Sequence, residues 1–350
     1  MSSLREPHTT TYGFCVRSAI NEGHPASSKL KGMHKLPDTM NSLAEKLITR
    51  TGGICFYGIA PPKADTPAER LESIAAQQAA RFQSMQIDGL IVYDIQDEAE
   101  RTAQPRPFPF LPTVDPATYA YEHLAARNVP RVLYRCVSHD SPESLVQWLS
   151  MIRGFEAHPT VVFVGAPSRH SQVGLSLEQA YALAQRHTPE VILGGVAIAE
   201  RHNETVSEHE RILRKTAQGC RFVVTQAVYD ATSTKSLLSD YSIAVVERSS
   251  RPIPIILTFS PCGSDTTLSF MKWLGIHFPR WLENEIRHAK DPLGTSIDLC
   301  EQLFADILDY AISRNVPLGV NVESVSIRKA EIEASVELFR RLRSRVQGRI

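Results

Sequence analysis

The stretch VILGGVAIAERHNETVSEHERILRKTAQGCRFVVTQAVYD, residues 191–230, contains two apolar runs on either side of a polar segment. The runs, 191–197 and 222–228, are almost continuously apolar, as strands buried on both faces of a sheet are. The segment between them ends at Gly219, a residue type that is common just after a helix. This arrangement predicts a strand, a helix and a second strand parallel to the first.

The same arrangement occurs along most of the chain. Apolar runs lie at 54–60, 89–95, 131–137, 160–166, 191–197, 222–228, 253–260 and 319–324. Eight strands that alternate with helices over about 290 residues predict an α/β fold, the (β/α)₈ TIM barrel. A doubly wound open sheet would show the same alternation. We prefer the barrel because there are eight units and because no glycine-rich phosphate loop follows the first run.

The chain is predicted to hold one domain with an N-terminal extension. Residues 1–50 are polar and form the extension, with NSLAEKLITR at 41–50 as a helix that leads into the first strand. Residues 51–350 form the barrel. The proline-rich stretch PRPFPFLP at 105–112 is predicted to be a loop after the second strand.

Composition excludes several classes of protein. The chain has 350 residues, 43% of them hydrophobic, and its 38 basic residues balance 38 acidic ones, so we expect neither a nucleic-acid nor a membrane partner. The six cysteines show no metal-ligand spacing, which argues against a zinc site and against a disulfide framework. No apolar run is long enough to span a membrane and no signal peptide is recognisable, so we expect a cytoplasmic protein.

Polar residues near the strand ends are candidate site residues, because TIM-barrel active sites lie at the carboxyl ends of the strands. They are Tyr57, Tyr93, Asp94, Arg135, Gln226, Ser260, Asn321 and Glu323. A lone tyrosine or serine there more often packs or caps a turn. Arg135, Gln226 and Glu323 are rarer in strands, and burying an unpaired amide costs about 1–3 kcal/mol, so these three are the stronger candidates.

The segment GCRFVVTQAVYD at 219–230 resembles a motif of the methylenetetrahydrofolate reductase family. These enzymes are FAD-dependent (β/α)₈ barrels that reduce a methylene-folate to a methyl-folate. The resemblance extends upstream through 199–219, where Glu200, His202 and Glu204 match the family, and downstream through 252–282. It is strongest over residues 190–285.

The resemblance implies a flavoprotein that binds FAD and takes hydride from NADH or NADPH. Arg211, Arg214 and Lys215 lie three and four residues apart, so they can share one side of a helix and meet a pyrophosphate. By resemblance, Arg214 and Lys215 contact the FAD phosphates. The full set assigned to cofactor binding is Tyr93, Arg135, Glu200, His202, Glu208, Arg211, Arg214 and Lys215. The alternative is an ordinary solvated basic face of a helix.

The first half of the chain departs from the family at its catalytic residues. The family glutamate on strand one, which protonates the folate, is replaced here by Tyr57 or Gly58, and the family aspartate after strand four is replaced by Ala166. In a closed barrel strand eight lies beside strand one, so Glu323 can approach the vacated position. Its alternative roles are to cap the next helix or to pair with Arg328.

We therefore predict Glu323, Gln226 and Tyr57 as catalytic residues, and Gln226, Tyr229 and Asn321 as substrate-binding residues. Three further acid–base candidates are Asp94, His139 and Asp140, although SHDSPES at 138–144 also has the pattern of a helix N-cap.

The predicted function is hydride transfer from NADH or NADPH through FAD to 5,10-methylenetetrahydrofolate, which gives 5-methyltetrahydrofolate. One alternative is altered one-carbon folate chemistry, such as oxidation of the methyl-folate. Another is a barrel that binds folate, flavin or a partner subunit without turnover. A homo-oligomer is possible for each of these.

Overall fold

Eight parallel strands form a closed barrel in the order in which they occur in the chain. The structure is a computed structural model that describes residues 42–97, 104–124, 129–166 and 173–349. The strands are β1 Cys55–Ile59, β2 Gly89–Val92, β3 Arg131–Cys136, β4 Thr160–Val164, β5 Ile192–Ala197, β6 Cys220–Ala227, β7 Ile255–Phe259 and β8 Leu318–Glu323. All eight predicted strands and the TIM barrel are confirmed, and the open sheet is excluded.

Helices surround the barrel and connect its strands. They are α1 Ser42–Ile48, α2 Ala68–Gln83, α3 Pro116–Thr118, α4 Pro142–Arg153, α5 Leu177–His187, α6 Glu208–Ala217, α7 Ala231–Glu247, α8 Asp265–Trp273, α9 Arg280–His288, α10 Pro292–Ser313 and α11 Lys329–Gln347. Short 3₁₀ turns at 137–139 and 199–201 and a π-helical turn at 119–123 complete the described chain. No described helix has the length and apolarity that a membrane crossing requires.

Local sequence fixes where several helices begin. Ser141 caps α4 and Ser176 caps α5, and each forms a capping box with the residue three positions later. Asp230 caps α7 by accepting hydrogen bonds from the backbone of Thr232 and Ser233. The N-cap interpretation of SHDSPES is therefore confirmed.

Alternating side chains on each strand divide the core into two layers. Phe56, Ile91, Val132 and similar residues fill the barrel interior, whereas their sequence neighbours pack between the barrel and the helices. Helix α1 packs its buried Leu43, Ala44 and Leu47 against the interior cluster. The predicted helix at 41–50 thus exists as α1. The rest of the predicted extension, residues 1–41, lies outside the described residues.

Strand β6 contains one extra residue relative to β7. Between Val224 and Ala227 the chain advances three residues, while its partners Ile256 and Thr258 are two apart. The side chain of Thr225 compensates for the interrupted ladder, because its hydroxyl accepts a hydrogen bond from the backbone N–H of Thr258 at 3.0 Å. The bulge places Gln226 near the carboxyl end of the barrel, as bulges beside binding sites often do.

Candidate functional site at the barrel mouth

Glu323 lies directly beside the first strand. It pairs in register with Gly58 of β1, and Asn321 pairs with Phe56. The predicted approach of Glu323 to the vacated position on strand one is therefore confirmed as a geometric relationship.

Burial raises the pKa of the Glu323 carboxyl to about 7, while a hydrogen bond with Tyr93 lowers it in part. Asn321 donates from Nδ2 to the Tyr93 hydroxyl oxygen at 2.8 Å, which leaves the tyrosine hydrogen free to point to Glu323. A carboxyl group with a pKa near neutrality can give and take a proton at physiological pH, as a general acid must.

Asn321 is fully buried with one unmet hydrogen-bond acceptor. Its Nδ2 group also donates to the Thr258 hydroxyl at 3.2 Å, so both amide hydrogens are used. Its Oδ1 atom has no partner among the described residues. A buried acceptor without a donor is costly, and a ligand N–H group would satisfy it.

Two interior residues of this cluster were not singled out from the sequence. Thr258 bonds Asn321, and the ring of Tyr134 packs edge-on against Tyr93 at 4.8 Å between centroids. The sequence features that could have indicated them are a threonine inside the apolar run of β7 and a tyrosine inside the apolar run of β3. Burial, reinforced by the nearby Glu323, raises the pKa of Tyr134.

Tyr57 and Tyr229 lie outside the interior, which corrects their predicted roles. The Tyr57 hydroxyl lies 2.6 Å from that of Ser335 on α11, and its ring packs against Phe82 and Phe339. The Tyr229 hydroxyl donates to the backbone oxygen of Ser260 and its ring stacks on Phe278. Neither side chain reaches the space enclosed by the strands, so neither is a catalytic or substrate-binding residue in this arrangement.

Gln226 contributes a second open amide. Its Nε2 group donates to the backbone oxygen of Leu274 at 2.7 Å, which ties the segment after α8 to the end of β6. Its Oε1 atom is buried without a partner among the described residues. The amide is therefore half satisfied by the protein, and its oxygen is open to a ligand.

Near Gln226, the turn after β5 carries a further protonatable carboxyl. Burial raises the pKa of Glu200 to about 7, and the nearby Asp230 raises it further, whereas His277 lowers it. Its Oε1 atom is buried and has no partner among the described residues. His277 lies 3.2 Å from Asp230, so two carboxyl groups and an imidazole form a titratable cluster at the β5–β6 side of the mouth.

The residues predicted to hold FAD phosphates do not converge. Lys215 donates from Nζ to the backbone oxygen of Val196, and burial lowers its pKa. Arg211 pairs with Glu208 at 3.2 Å, and Glu208 also accepts from the Ile198 backbone. Arg214 is exposed. Two of the three cations are thus bonded within the protein.

Arg135 and His202 are also engaged elsewhere. Arg135 forms a two-pronged ion pair with Asp140, at 2.9 and 2.6 Å, and lies over Trp148. His202 accepts from the Glu208 backbone and lies 3.0 Å from Asp240. The described residues therefore do not fit an FAD phosphate site of the predicted kind, and we derive no step through a flavin.

The remaining acid–base candidates have structural contacts. Asp94 accepts hydrogen bonds from the Cys136 backbone and from Gln96, at 2.7 and 2.6 Å. Asp140 is held by Arg135, and His139 is exposed.

One group of side chains has the composition of a metal site. His202, His209 and Asp240 each offer an atom within 4.8 Å of the others. However, the Glu208 N–H donates to Nδ1 of His202, which places the ring hydrogen on Nε2, where it points to Asp240. His202 and Asp240 therefore have hydrogen-bond partners without a metal ion.

A segment after β2, residues 104–114, is bonded at both ends to other connecting segments of the barrel, and we call it the strap. Its residues 112–114 pair with the segment after β1, with bonds from Ala64 to Pro112 and from Val114 to Pro62 at 2.9 and 2.8 Å. At its other end the Trp273 indole of α8 donates to the Gln104 oxygen at 3.0 Å. The strap therefore connects the segment after β1 with α8, and Leu274 next to α8 is tied to β6. The predicted proline-rich loop at 105–112 is confirmed as a loop.

Comparison with solved structures places this barrel beside a folate-binding protein. An uncharacterised protein from Clostridium thermocellum, which binds two copies of 5-methyl-5,6,7,8-tetrahydrofolic acid, is 37% identical over 86% of this chain and 99% of that one, with a TM-score of 0.75. The chain belongs to the same family as this clostridial protein. The predicted resemblance to a folate-related family is confirmed to that extent.

Other solved structures share much less with the chain. A GH10 endoxylanase from a sugarcane soil metagenome is 9% identical over 82% of this chain and 88% of that one, with a TM-score of 0.45. A dihydropteroate synthase from Thermus thermophilus is 15% identical over 83% and 93%, with a TM-score of 0.37. No family model and no curated protein matches the sequence. Of these structures, the clostridial relative is the one whose identity is high enough to inform function.

Proposed function

We propose that this protein binds a reduced folate in the barrel mouth and transfers hydride from NADH or NADPH to its one-carbon unit. The observation that carries the proposal is Glu323, a carboxyl with a pKa raised to about 7 that is paired in register with Gly58. The clostridial relative supports it, because the methyl-folate that it binds is the product of such a transfer.

The open amides support binding of a pterin. A pterin ring carries several N–H donors along its edge, and the unpartnered oxygens of Asn321 and Gln226 are acceptors on β8 and β6. Strands two apart in a barrel are separated by about 10 Å, which is comparable with the length of a two-ring heterocycle and its first substituent. Both amides can therefore contact one ligand.

The proposed reaction needs one proton and one hydride, which Glu323 and the reduced nicotinamide supply. Protonated Glu323 gives its proton to N10 of the methylene-folate, the C–N10 bond breaks, and the carbon remains on N5 as an iminium. Hydride from the reduced nicotinamide adds to that carbon, which becomes a methyl group, and the nicotinamide leaves oxidised. Glu323 then takes a proton from solvent. General acid catalysis of this kind contributes about 10²–10⁴ in rate.

FAD remains a prediction from the resemblance alone. The residues assigned to its phosphates are largely bonded within the protein, so the nicotinamide is proposed as the hydride source and the flavin is left to experiment. A barrel that binds folate without turnover is the alternative outcome.

The test uses purified protein, methylenetetrahydrofolate and NADH or NADPH under anaerobic conditions, with and without added FAD. We expect oxidation of the nicotinamide with formation of 5-methyltetrahydrofolate, and loss of this activity in Glu323→Gln. Tight binding of methyl-folate without any nicotinamide oxidation would establish the non-catalytic alternative. Turnover only with added FAD would restore the flavin prediction.

A further inference from the structure

Arg106, in the strap, is held in an unusual setting for a charged side chain. Its guanidinium carbon lies over three aromatic rings, at 5.3 Å from Phe110, 5.8 Å from Phe270 and 5.3 Å from Trp273. Rings on several sides fix the orientation of the planar guanidinium through cation–π contacts. The group is therefore oriented in advance rather than free in solvent.

Two donors of this guanidinium lack acceptors. Nε and Nη1 of Arg106 are buried and have no hydrogen-bond partner among the described residues. A buried charged donor without an acceptor is more costly than a neutral one, and an arginine at a protein surface normally avoids it by turning to water. Nε and one Nη are also the atoms with which arginine binds the two oxygens of a carboxylate or phosphate.

The position of Arg106 places these donors beside the proposed folate site. Its aromatic partner Trp273 is followed by Leu274, whose backbone oxygen accepts from Gln226 of β6 at 2.7 Å. The arginine is therefore connected through Trp273 and Leu274 to Gln226, whose amide oxygen has no partner among the described residues. Two other cations near the strand ends, Arg135 and Lys215, already bond within the protein.

We infer that Arg106 binds an anionic group of the ligand held in the mouth, and that this group is the glutamate carboxylate of the folate. The inference rests on the proposed function, and it assigns the anionic end of the substrate to the strap, while Asn321, Gln226 and Glu323 contact the pterin end. The phosphates of a nicotinamide dinucleotide offer the same chemistry, and the test separates the two sources.

The test compares ligands that differ only in the anionic group. The affinities of wild type and Arg106→Gln are measured calorimetrically for 5-methyltetrahydrofolate and for its glutamate diamide, in which both carboxylates are replaced by carboxamides. We expect the substitution to weaken folate binding about tenfold to a hundredfold and to leave diamide binding unchanged, because only the folate carries the carboxylates. The same comparison with NADH and reduced nicotinamide riboside tests the phosphates.

Two variants serve as controls. Arg314→Gln removes an arginine that also lies over an aromatic ring, at 5.2 Å from Tyr310, but on the outside of the barrel, so it should change neither affinity. Arg106→Lys keeps the charge and loses the two-pronged geometry, and it should bind folate with intermediate affinity even if Arg106→Gln folds poorly.

The outcomes separate this inference from the proposed function. Equal loss of folate and diamide binding, or no loss of either, would overturn the inference, since Arg106 would then only anchor the strap. Wild type that binds folate and the diamide equally well would also overturn it and leave the proposed function standing. Wild type that binds neither would overturn both. A loss of affinity confined to NADH would support Arg106 as an anion site. It would assign that site to the dinucleotide phosphate and overturn its assignment to the folate glutamate.

Discussion

The ring of Tyr93 fills the space that a side chain on Gly58 would need. A Cβ atom built at position 58 would lie 2.7 Å from Cε2 and 2.9 Å from the hydroxyl of Tyr93. Strand β1 therefore cannot carry a carboxylate at this point while Tyr93 keeps its position. Glu323, the register partner of Gly58, presents the carboxyl from the neighbouring strand instead.

Gly58→Ala should destabilise the protein and weaken folate binding together. The added methyl must displace Tyr93, which breaks its hydrogen bond with Asn321. Overpacking of this kind costs about 1–3 kcal/mol, measurable by urea denaturation. Gly348→Ala is the control, because its Cβ would meet no atom closer than 3.5 Å. Equal stability of the two variants would contradict the close contact with Tyr93.

Glu323→Gln should lower folate turnover about 10²–10⁴-fold while leaving the binding of 5-methyltetrahydrofolate nearly unchanged. The reason is that the amide keeps the shape of the carboxyl and cannot supply a proton. In wild type the rate should fall as the pH rises above about 7, where the acid loses its proton. Rate measurements from about pH 5.5 to about 9 check both points. A variant with full turnover would exclude Glu323 as the proton donor.

The stability of the protein should also depend on Glu323 in a defined pH range. Its pKa is raised in the folded protein from 4.5 to about 7, so between these values the folded state holds a proton that the unfolded state has lost. This contribution to the free energy of unfolding is complete below pH 4.5 and is lost as the pH rises to about 7. We measure the free energy of unfolding of wild type and of Glu323→Gln by denaturation at each pH. The wild-type value minus the variant value should fall as the pH rises from 4.5 to about 7. A difference independent of pH would show that the carboxyl titrates normally.

Tyr57→Phe should leave folate binding and turnover unchanged. The substitution removes the hydroxyl that bonds Ser335 on α11, outside the barrel interior, so it should cost only about 0.5–1.5 kcal/mol of stability. Denaturation and steady-state assays of the same preparation check this. A large fall in turnover at unchanged stability would return Tyr57 to the list of catalytic residues.

Sequence patterns were sufficient for the barrel and for the position of Glu323. Strands buried on both faces are apolar throughout, and closure of a parallel barrel places the last strand beside the first, so these features follow from composition and topology. The polar pair Thr225–Gln226 interrupts the apolar run of β6 at the point where the structure has a bulge, which the sequence did not predict.

The sequence did not predict whether individual side chains point into the barrel or away from it. At the end of β1 the choice between Tyr57 and Gly58 as the inward residue depends on the phase of alternation, which an unbroken apolar run does not reveal. On α6, helical spacing placed Lys215 beside Arg211 and Arg214 but did not show that the Lys215 side chain turns inward to Val196. The role of Arg106 depends on rings from α8, far away in the chain.

The strap also has a consequence for how the molecule folds and opens. Gln104 and Trp273 are 169 residues apart, so their hydrogen bond requires distant parts of the chain to be brought together by the barrel. A single hydrogen bond to a loop outside the strands should open at a lower free-energy cost than the barrel itself, without disturbing the strands. In a variant whose Trp148 and Trp281 are replaced by phenylalanine, the fluorescence of Trp273 should follow the opening of the strap separately from global unfolding.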